Sequence, residues 1–178
     1  MAFLDIFKKK PKNPKKNVRI WINQAAKDKA CIRMAEADKT LIFIAWSTVT
    51  RTYFHELFTK HSLTNEILLA KDIIPTRMNE RKFVFLERHY DQDKENVFLK
   101  SLHSSEVTVH VSLSDPIMSQ FNIERIKTVI DKMGHNEDEY IEHEMINQSI
   151  ERAMDKVKNN NSKENFPAKL QQWKDGIQ

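Results

Sequence analysis

Glu87, Arg88 and His89 follow the apolar run Lys82 to Leu86 (KFVFL), placing a carboxylate, a guanidinium and an imidazole at the end of an expected strand. Open α/β sheets bind ligands outside the carboxyl ends of their strands, so this triplet is the first candidate for a functional edge. The alternative is a polar cluster that ties strand to helix, and without a paired acid and base that reading is the better one. A second constellation, His135, Glu137, Asp138, Glu139, Glu142 and His143, has metal-ligand residue types. It precedes an amphipathic run, however, where acidic residues favour a helix N-terminus, and no metal is expected there. His55 and His61 lie six apart on one expected helix and do not share a face. Cys31 is the only cysteine and reads as a small buried apolar residue, so no disulfide or cysteine-based zinc site is expected.

Phosphate chemistry is restricted by the glycines. Only Gly134 and Gly176 occur, followed by His135 and Ile177. A phosphate-cradling loop needs clustered residues without Cβ so that several backbone N–H groups converge on one phosphate. Neither a P-loop nor a dinucleotide fingerprint fits, and no cofactor is expected. With 40% apolar and 30% charged residues, the 178-residue chain has the composition of one globular domain with tails. No stretch reaches the roughly 20 apolar residues of a spanning helix.

The net charge of +4 is unevenly placed. Residues 1–17 (MAFLDIFKKKPKNPKKN) carry six lysines and one aspartate, a net of +5, so residues 18–178 sum to −1. Phe3, Leu4, Ile6 and Phe7 can share one helical face, and Lys8, Lys9, Lys10, Lys12, Lys15 and Lys16 follow, interrupted by Pro11 and Pro14. An apolar plug ahead of a cationic stretch suits an anionic membrane surface, at roughly 1 kcal/mol per surface lysine. A solubilising tail and a nucleic-acid arm remain the alternatives, with nucleic acid the weaker one because residues 18–178 bring no basic excess of their own.

The elements that would position these groups follow from periodicity. Val18 to Ala37 is expected as a helix with Trp21, Ala25 and Ile32 inward. TLIFIAWS reads as a strand buried on both faces, and Ser47-Thr48 as a cap for a helix from Val49 to His61 packed through Tyr53, Phe54, Leu57 and Phe58. Glu66 to Leu69 and Lys82 to Leu86 are expected strands, and Asp91 to Leu102 a helix packed through Val97, Phe98 and Leu102. VTVHVSL (Val107 to Leu113) alternates as a strand, Ser114-Asp115-Pro116 turns into a helix from Ile123 to Met133, and Gly134 ends it. A last stripe, Met145, Ile146, Ile150, Met154 and Val157, marks a C-terminal helix, and residues 159–178 read as a polar tail in which Phe166, Leu170 and Trp173 offer docking points. Alternating strands and helices predict an α/β fold with a mostly parallel sheet.

The stretch from Val111 to Lys158 resembles the end of the second nucleotide-binding domain of the SecA preprotein-translocase ATPase. Ser112-Leu113-Ser114-Asp115, Phe121, Arg125-Ile126, Met133-Gly134, Glu137-Asp138-Glu139, Ile141-Glu142-His143 and Lys156-Val157 stand where that family has its matching motifs. Upstream, residues 38–72 are similar to the strand–helix–strand unit that opens the same domain, and Glu87-Arg88-His89 with Asn96 match a Glu-Arg-His segment and a later Asp-Asn pair. The resemblance implies a RecA-like domain over residues 18–158, flanked by a basic tail (1–17) and a polar tail (159–178). It also implies that Glu87, Arg88 and His89 are a vestigial nucleotide-facing edge.

The departures from the family pattern imply that hydrolysis is lost. Where the family continues with a glycine- and arginine-rich run whose arginines reach ATP phosphates, this chain has Val97 to Glu106 without one arginine. Only ten residues separate Lys71 from Lys82, too few for the family's Gly-Arg-Gly-Thr-Asp segment, and the first motor domain has no counterpart in this sequence. The expectation is a non-catalytic binding or adaptor module linked to protein export, cytoplasmic and peripheral to the inner face of the plasma membrane, with anionic lipid or translocon components as partners. The runner-up is a nucleotide- or nucleic-acid-binding regulator of helicase-like fold.

Overall fold

The computed structural model describes residues 14–75, 81–102, 104–120, 123–132, 134, 136, 138–159 and 168–177. Five strands, β1 (Lys15–Trp21), β2 (Ile42–Ala45), β3 (Ile67–Leu69), β4 (Phe83–Phe85) and β5 (Glu106–Ser112), form one sheet in the order β1-β5-β4-β2-β3. Among the described residues, the pairings between these five strands are all parallel, from Lys15 opposite Glu106 at one edge to Ala45 opposite Leu69 at the other. Among the described residues six α-helices flank it: α1 (Gln24–Ala37), α2 (Thr48–Lys60), α3 (Gln92–Ser101), α4 (Ile123–Lys132), α5 (Glu144–Asn159) and α6 (Ala168–Gly176). This is the expected α/β class, compatible with a RecA-like fold.

Parallel sheets need cover on both faces, and the alternation of side chains along the strands supplies two apolar layers. On one face Ile42, Ile44, Phe83, Phe85, Val107 and Val109 meet Leu99 of α3, Ile150 and Met154 of α5 and Leu170 of α6. On the other, Phe43, Val84 and Leu69 meet Cys31 and Ala35 of α1 and Phe54 and Phe58 of α2. Phe43 and Phe58 pack edge to face with centroids 4.9 Å apart, and each buried ring contributes roughly 1.5–3 kcal/mol of transfer free energy.

Several expectations are corrected. Val18 to Trp21 is not helical: with Lys15, Lys16 and Asn17 it forms β1, so the sheet begins inside the lysine run. The physical signal is a period of two, with Val18 and Ile20 in the core. The helix starts only after Asn23, whose side chain accepts the Ala26 N–H at 2.8 Å. Its buried stripe is Ala26, Lys27, Ala30, Cys31 and Ala35, which leaves Ala25 exposed and Ile32 half-buried.

Val97 is 67% exposed and Met145 70%, against expectation, whereas the expected Leu102, Ile146 and Ile150 are buried and Leu99 joins Leu102 in packing α3. Phe98 is only partly buried, Leu57 is half-buried and Tyr53 is exposed. Residues 168–176 are not tail but helix α6, with Leu170 and Trp173 buried; Phe166 lies outside the described residues. Ser47 caps α2 through the Thr50 N–H at 3.1 Å as expected. Gly134 takes φ +70°, the left-handed conformation that suits glycine past a helix end.

Candidate functional site

From β2 the chain steps to β3 on one side, then crosses back over β2 to β4 on the other. The topological switch point therefore lies between β2 and β4, where open α/β sheets form their ligand crevice. Trp46 and Ser47 leave the carboxyl end of β2, and Glu87, Arg88 and His89 follow soon after β4. All three residues of the triplet are buried, at 3, 2 and 5% exposure.

Glu87 is engaged on both oxygens. Its Oε1 accepts the backbone N–H groups of Trp46 at 2.8 Å and Ser47 at 2.7 Å. Its Oε2 accepts from the Thr50 hydroxyl at 2.6 Å and from the Trp173 indole Nε1 at 2.5 Å. The N-terminus of a helix attracts anions through its free N–H groups and its dipole, and at α2 the chain's own carboxylate fills that position. Burial pushes the Glu87 carboxyl above the usual carboxylate range, with the bonds from Thr50, Trp173 and Ser47 working the other way.

Arg88 turns to α3. Its Nε donates to Glu95 Oε1 at 2.8 Å and Oε2 at 3.0 Å, while Lys16 Nζ reaches Glu95 Oε2 at 3.2 Å. Burial opposes the charge on Glu95, yet Arg88 and Lys16 outweigh it and hold its carboxyl below the ordinary value. Lys16 is itself pulled down, by burial first and by Arg88 second. His89 Nδ1 accepts the Asp91 N–H at 2.8 Å, and its ring meets Trp46 edge-on at 4.9 Å. Burial lowers its pKa, and Asp91 in turn caps α3 through the Asp93 and Lys94 N–H groups.

Helix α6 closes the crevice. Beyond the Trp173 bond, Ile177 forms an antiparallel bridge with Ser47, and Lys174 Nζ sits 5.2 Å from the centre of the Tyr90 ring. A cleft of about 190 Å³ remains, bordered by Lys27, Tyr53, Asp115, Lys169 and Trp173, below the ~300–1,000 Å³ of ordinary small-molecule sites. Of its two lysines, Lys27, 1% exposed, is neutralised by Asp115 at 2.9 and 3.1 Å.

The sequence indicated the triplet but not its partners. Glu95, Lys16, Trp46 and Trp173 come from four separate segments, and only Glu95, seven residues after Arg88, is close in sequence to the triplet. Lys15 and Lys16 belong to β1 rather than to a docking tail, while Phe3, Leu4, Ile6, Phe7, Lys8, Lys9, Lys10 and Lys12 lie outside the described residues. Of the acidic loop, Asp138 pairs with Lys29 at 3.1 Å, and His135 and Glu137 lie outside the described residues. Among the described residues no three His, Cys, Asp or Glu side chains are grouped to hold a metal, and no helix is long and apolar enough to cross a membrane. Cys31 is fully buried, which pushes its thiol up to about 12.

No family model matches the chain. Against curated proteins, 51 residues (29% of this chain) are 55% identical to "Protein translocase subunit SecA" of Phocaeicola vulgatus. Over 56 residues (32% of this chain) the identity is 50% to the protein of the same name from Chlorobium phaeobacteroides and 48% to that from Chlorobaculum tepidum. The matched stretches span only 5 to 6% of the length of those relatives. A segment of this chain is therefore SecA-related, and the chain has a parallel sheet whose switch-point crevice is covered by α6.

Proposed function

We propose that the chain is a non-catalytic, SecA-like binding module that serves protein export at the inner face of the membrane. The observation that supports this most directly is the filled carboxyl edge. Glu87 holds the anion position at the α2 N-terminus, and Trp173 of α6 covers it. A nucleotide phosphate brought there would face a buried carboxylate and displace a helix. The arginine-free stretch Val97 to Glu106 and the lack of clustered glycines point the same way. With hydrolysis set aside, binding is the role left for a SecA-related domain.

The partner side of the proposal rests on residues 1–13. Phe3, Leu4, Ile6 and Phe7 supply insertion, and Lys8, Lys9, Lys10 and Lys12 supply attraction to anionic headgroups or to translocon components. Lys16 is committed to Glu95. Flotation with vesicles of phosphatidylcholine and phosphatidylglycerol, using the full chain and the chain lacking residues 1–13, tests it. The full chain should float with the anionic vesicles and the shortened chain should stay behind. Equal flotation would remove the membrane role. Retention on single-stranded nucleic acid with a steep salt dependence would favour the second reading, a nucleic-acid-binding regulator, for which the same lysines are the motive.

A further inference from the structure

Away from the carboxyl edge, the β1–β5 half of the sheet face under α1 is polar: Asn17, Arg19 and Trp21 of β1 lie opposite Thr108, His110 and Ser112 of β5. Here a groove of about 470 Å³ opens between Arg19 and Trp21, helix α1 (Ala30, Arg33, Met34, Ala37) and the loop Asp138–Tyr140. Its volume lies within the range of small-molecule sites, and it shares no lining residue with the cleft beneath α6.

Arg19 is held but not neutralised. Its guanidinium lies 4.9 Å from the centre of the Tyr140 ring, and Nη1 approaches Met34 Sδ at 3.7 Å. Its Nε is shielded from solvent and has no hydrogen-bond partner among the described residues. Arg33 stands exposed on the same wall. Among the described residues neither guanidinium has a carboxylate within salt-bridge distance. Of the two rim acids, Asp138 is paired with Lys29 at 3.1 Å, and Glu139 accepts from Asn136 Nδ2 at 3.3 Å. The groove thus has two guanidinium side chains in its lining, beside Met34, Ala37 and Tyr140.

Stacking on an aromatic ring pre-orients a guanidinium for bidentate recognition of oxyanions. The stacked Arg19 and the exposed Arg33 together call for about two negative charges on one compact group. A phosphomonoester supplies roughly −1.5 to −2 and three acceptor oxygens, whereas a carboxylate supplies one charge and two oxygens. We propose that this groove binds an organic phosphomonoester, with Arg19 and Arg33 on the phosphate oxygens and the organic body against Met34, Ala37 and Tyr140. The assignment is independent of the export reading.

Phenyl phosphate is the probe, followed through the Trp21 indole N–H signal in proton–nitrogen correlation spectra of the full chain. The expected result is a saturable shift, weakened about 10-fold or more in Arg33→Ala, as the loss of one charge-assisted hydrogen bond implies. Arg33 is exposed on α1, so this variant keeps the fold even if Arg19→Ala does not. Glu139→Gln should tighten binding by removing a like charge from the rim, and benzoate should bind about 10-fold or more weakly than phenyl phosphate. Vesicles containing phosphatidic acid distinguish the sources. Arginine-dependent binding to them in place of phenyl phosphate would assign the phosphomonoester to a lipid headgroup. Absence of both responses, a response unchanged in Arg33→Ala, or benzoate binding as tightly as phenyl phosphate would overturn the proposal.

Discussion

Trp173 donates its indole N–H to Glu87 Oε2 at 2.5 Å, joining the last helix of the chain to the carboxyl edge of its sheet. Both partners are buried, at 3% exposure each. The bond links two segments 86 residues apart and places α6 over the crevice between β2 and β4.

Removing that link should be costly in two separable ways. Trp173→Phe keeps most of the ring but withdraws the donor, leaving Glu87 three of its closest four bonds, and should cost about 1.5–3 kcal/mol. Trp173→Ala also empties the space under α6 and should cost about 3–5 kcal/mol. Urea denaturation of both variants beside the native chain measures the difference.

Much of the sheet could be read in advance because its strands carry their own signals. Ile42 to Ala45 is apolar throughout and buried on both faces, and Ser47 caps the helix that follows. β1 was obscured because its first half falls in the lysine run that looks like a tail, while Val18 to Ala37 contains enough apolar residues to imitate one long helix. Only the two-residue alternation and the Asn23 cap separate strand from helix there. Helix α6 follows a polar Asn-rich stretch, and its worth comes from Leu170 and Trp173 meeting a distant core. The triplet at 87–89 was visible as chemistry, but Lys16, Glu95 and Trp173 are tertiary partners, and no local pattern in the sequence encodes them.

The two buried glutamates should titrate with opposite signs. Glu87 is raised from the model-peptide value of 4.5, so the folded state holds its proton more tightly than the unfolded chain. The stability it supports is complete below 4.5 and is lost as pH rises through its folded value. Glu95 is lowered from the same value, so its contribution is present above 4.5 and is lost as pH falls. Relative to the native chain, Glu95→Gln should be more damaging at pH 7 than at pH 4, and Glu87→Gln the reverse. Denaturation midpoints across that range decide it. At neutral pH, Glu95→Gln should cost about 3–5 kcal/mol because it strands the Arg88 charge in the interior.

His110 adds a third pH-dependent contribution. It is fully buried, it accepts the Trp21 indole N–H on Nδ1 at 2.9 Å, and burial, aided by Lys27 and Arg19, brings its pKa down to about 3. The unfolded chain protonates near 6.5 and the folded one does not. Stability should therefore fall by up to about 1.4 kcal/mol per pH unit between those values as the solution is acidified. In His110→Gln that slope should shrink, whatever the variant's stability at pH 7.

The N-terminal boundary makes a further distinction. Removing residues 1–13 leaves β1 and the Lys16–Glu95 pair in place and should change the unfolding midpoint little. Removing residues 1–17 takes three residues from β1 and the Lys16 partner of Glu95, and should lower stability by at least ~1 kcal/mol. Thermal unfolding of the two shortened chains compares them directly, and vesicle flotation is interpretable only with the first.

The central claim, that this chain with its SecA-related segment binds without catalysing, is tested most directly by titrating the full chain with a fluorescent ATP analogue and Mg²⁺ while assaying phosphate release. The account predicts no saturable binding and no turnover, in the native chain and in Trp173→Phe alike. Saturable binding accompanied by phosphate release above background would contradict it and return the chain to the ATPases.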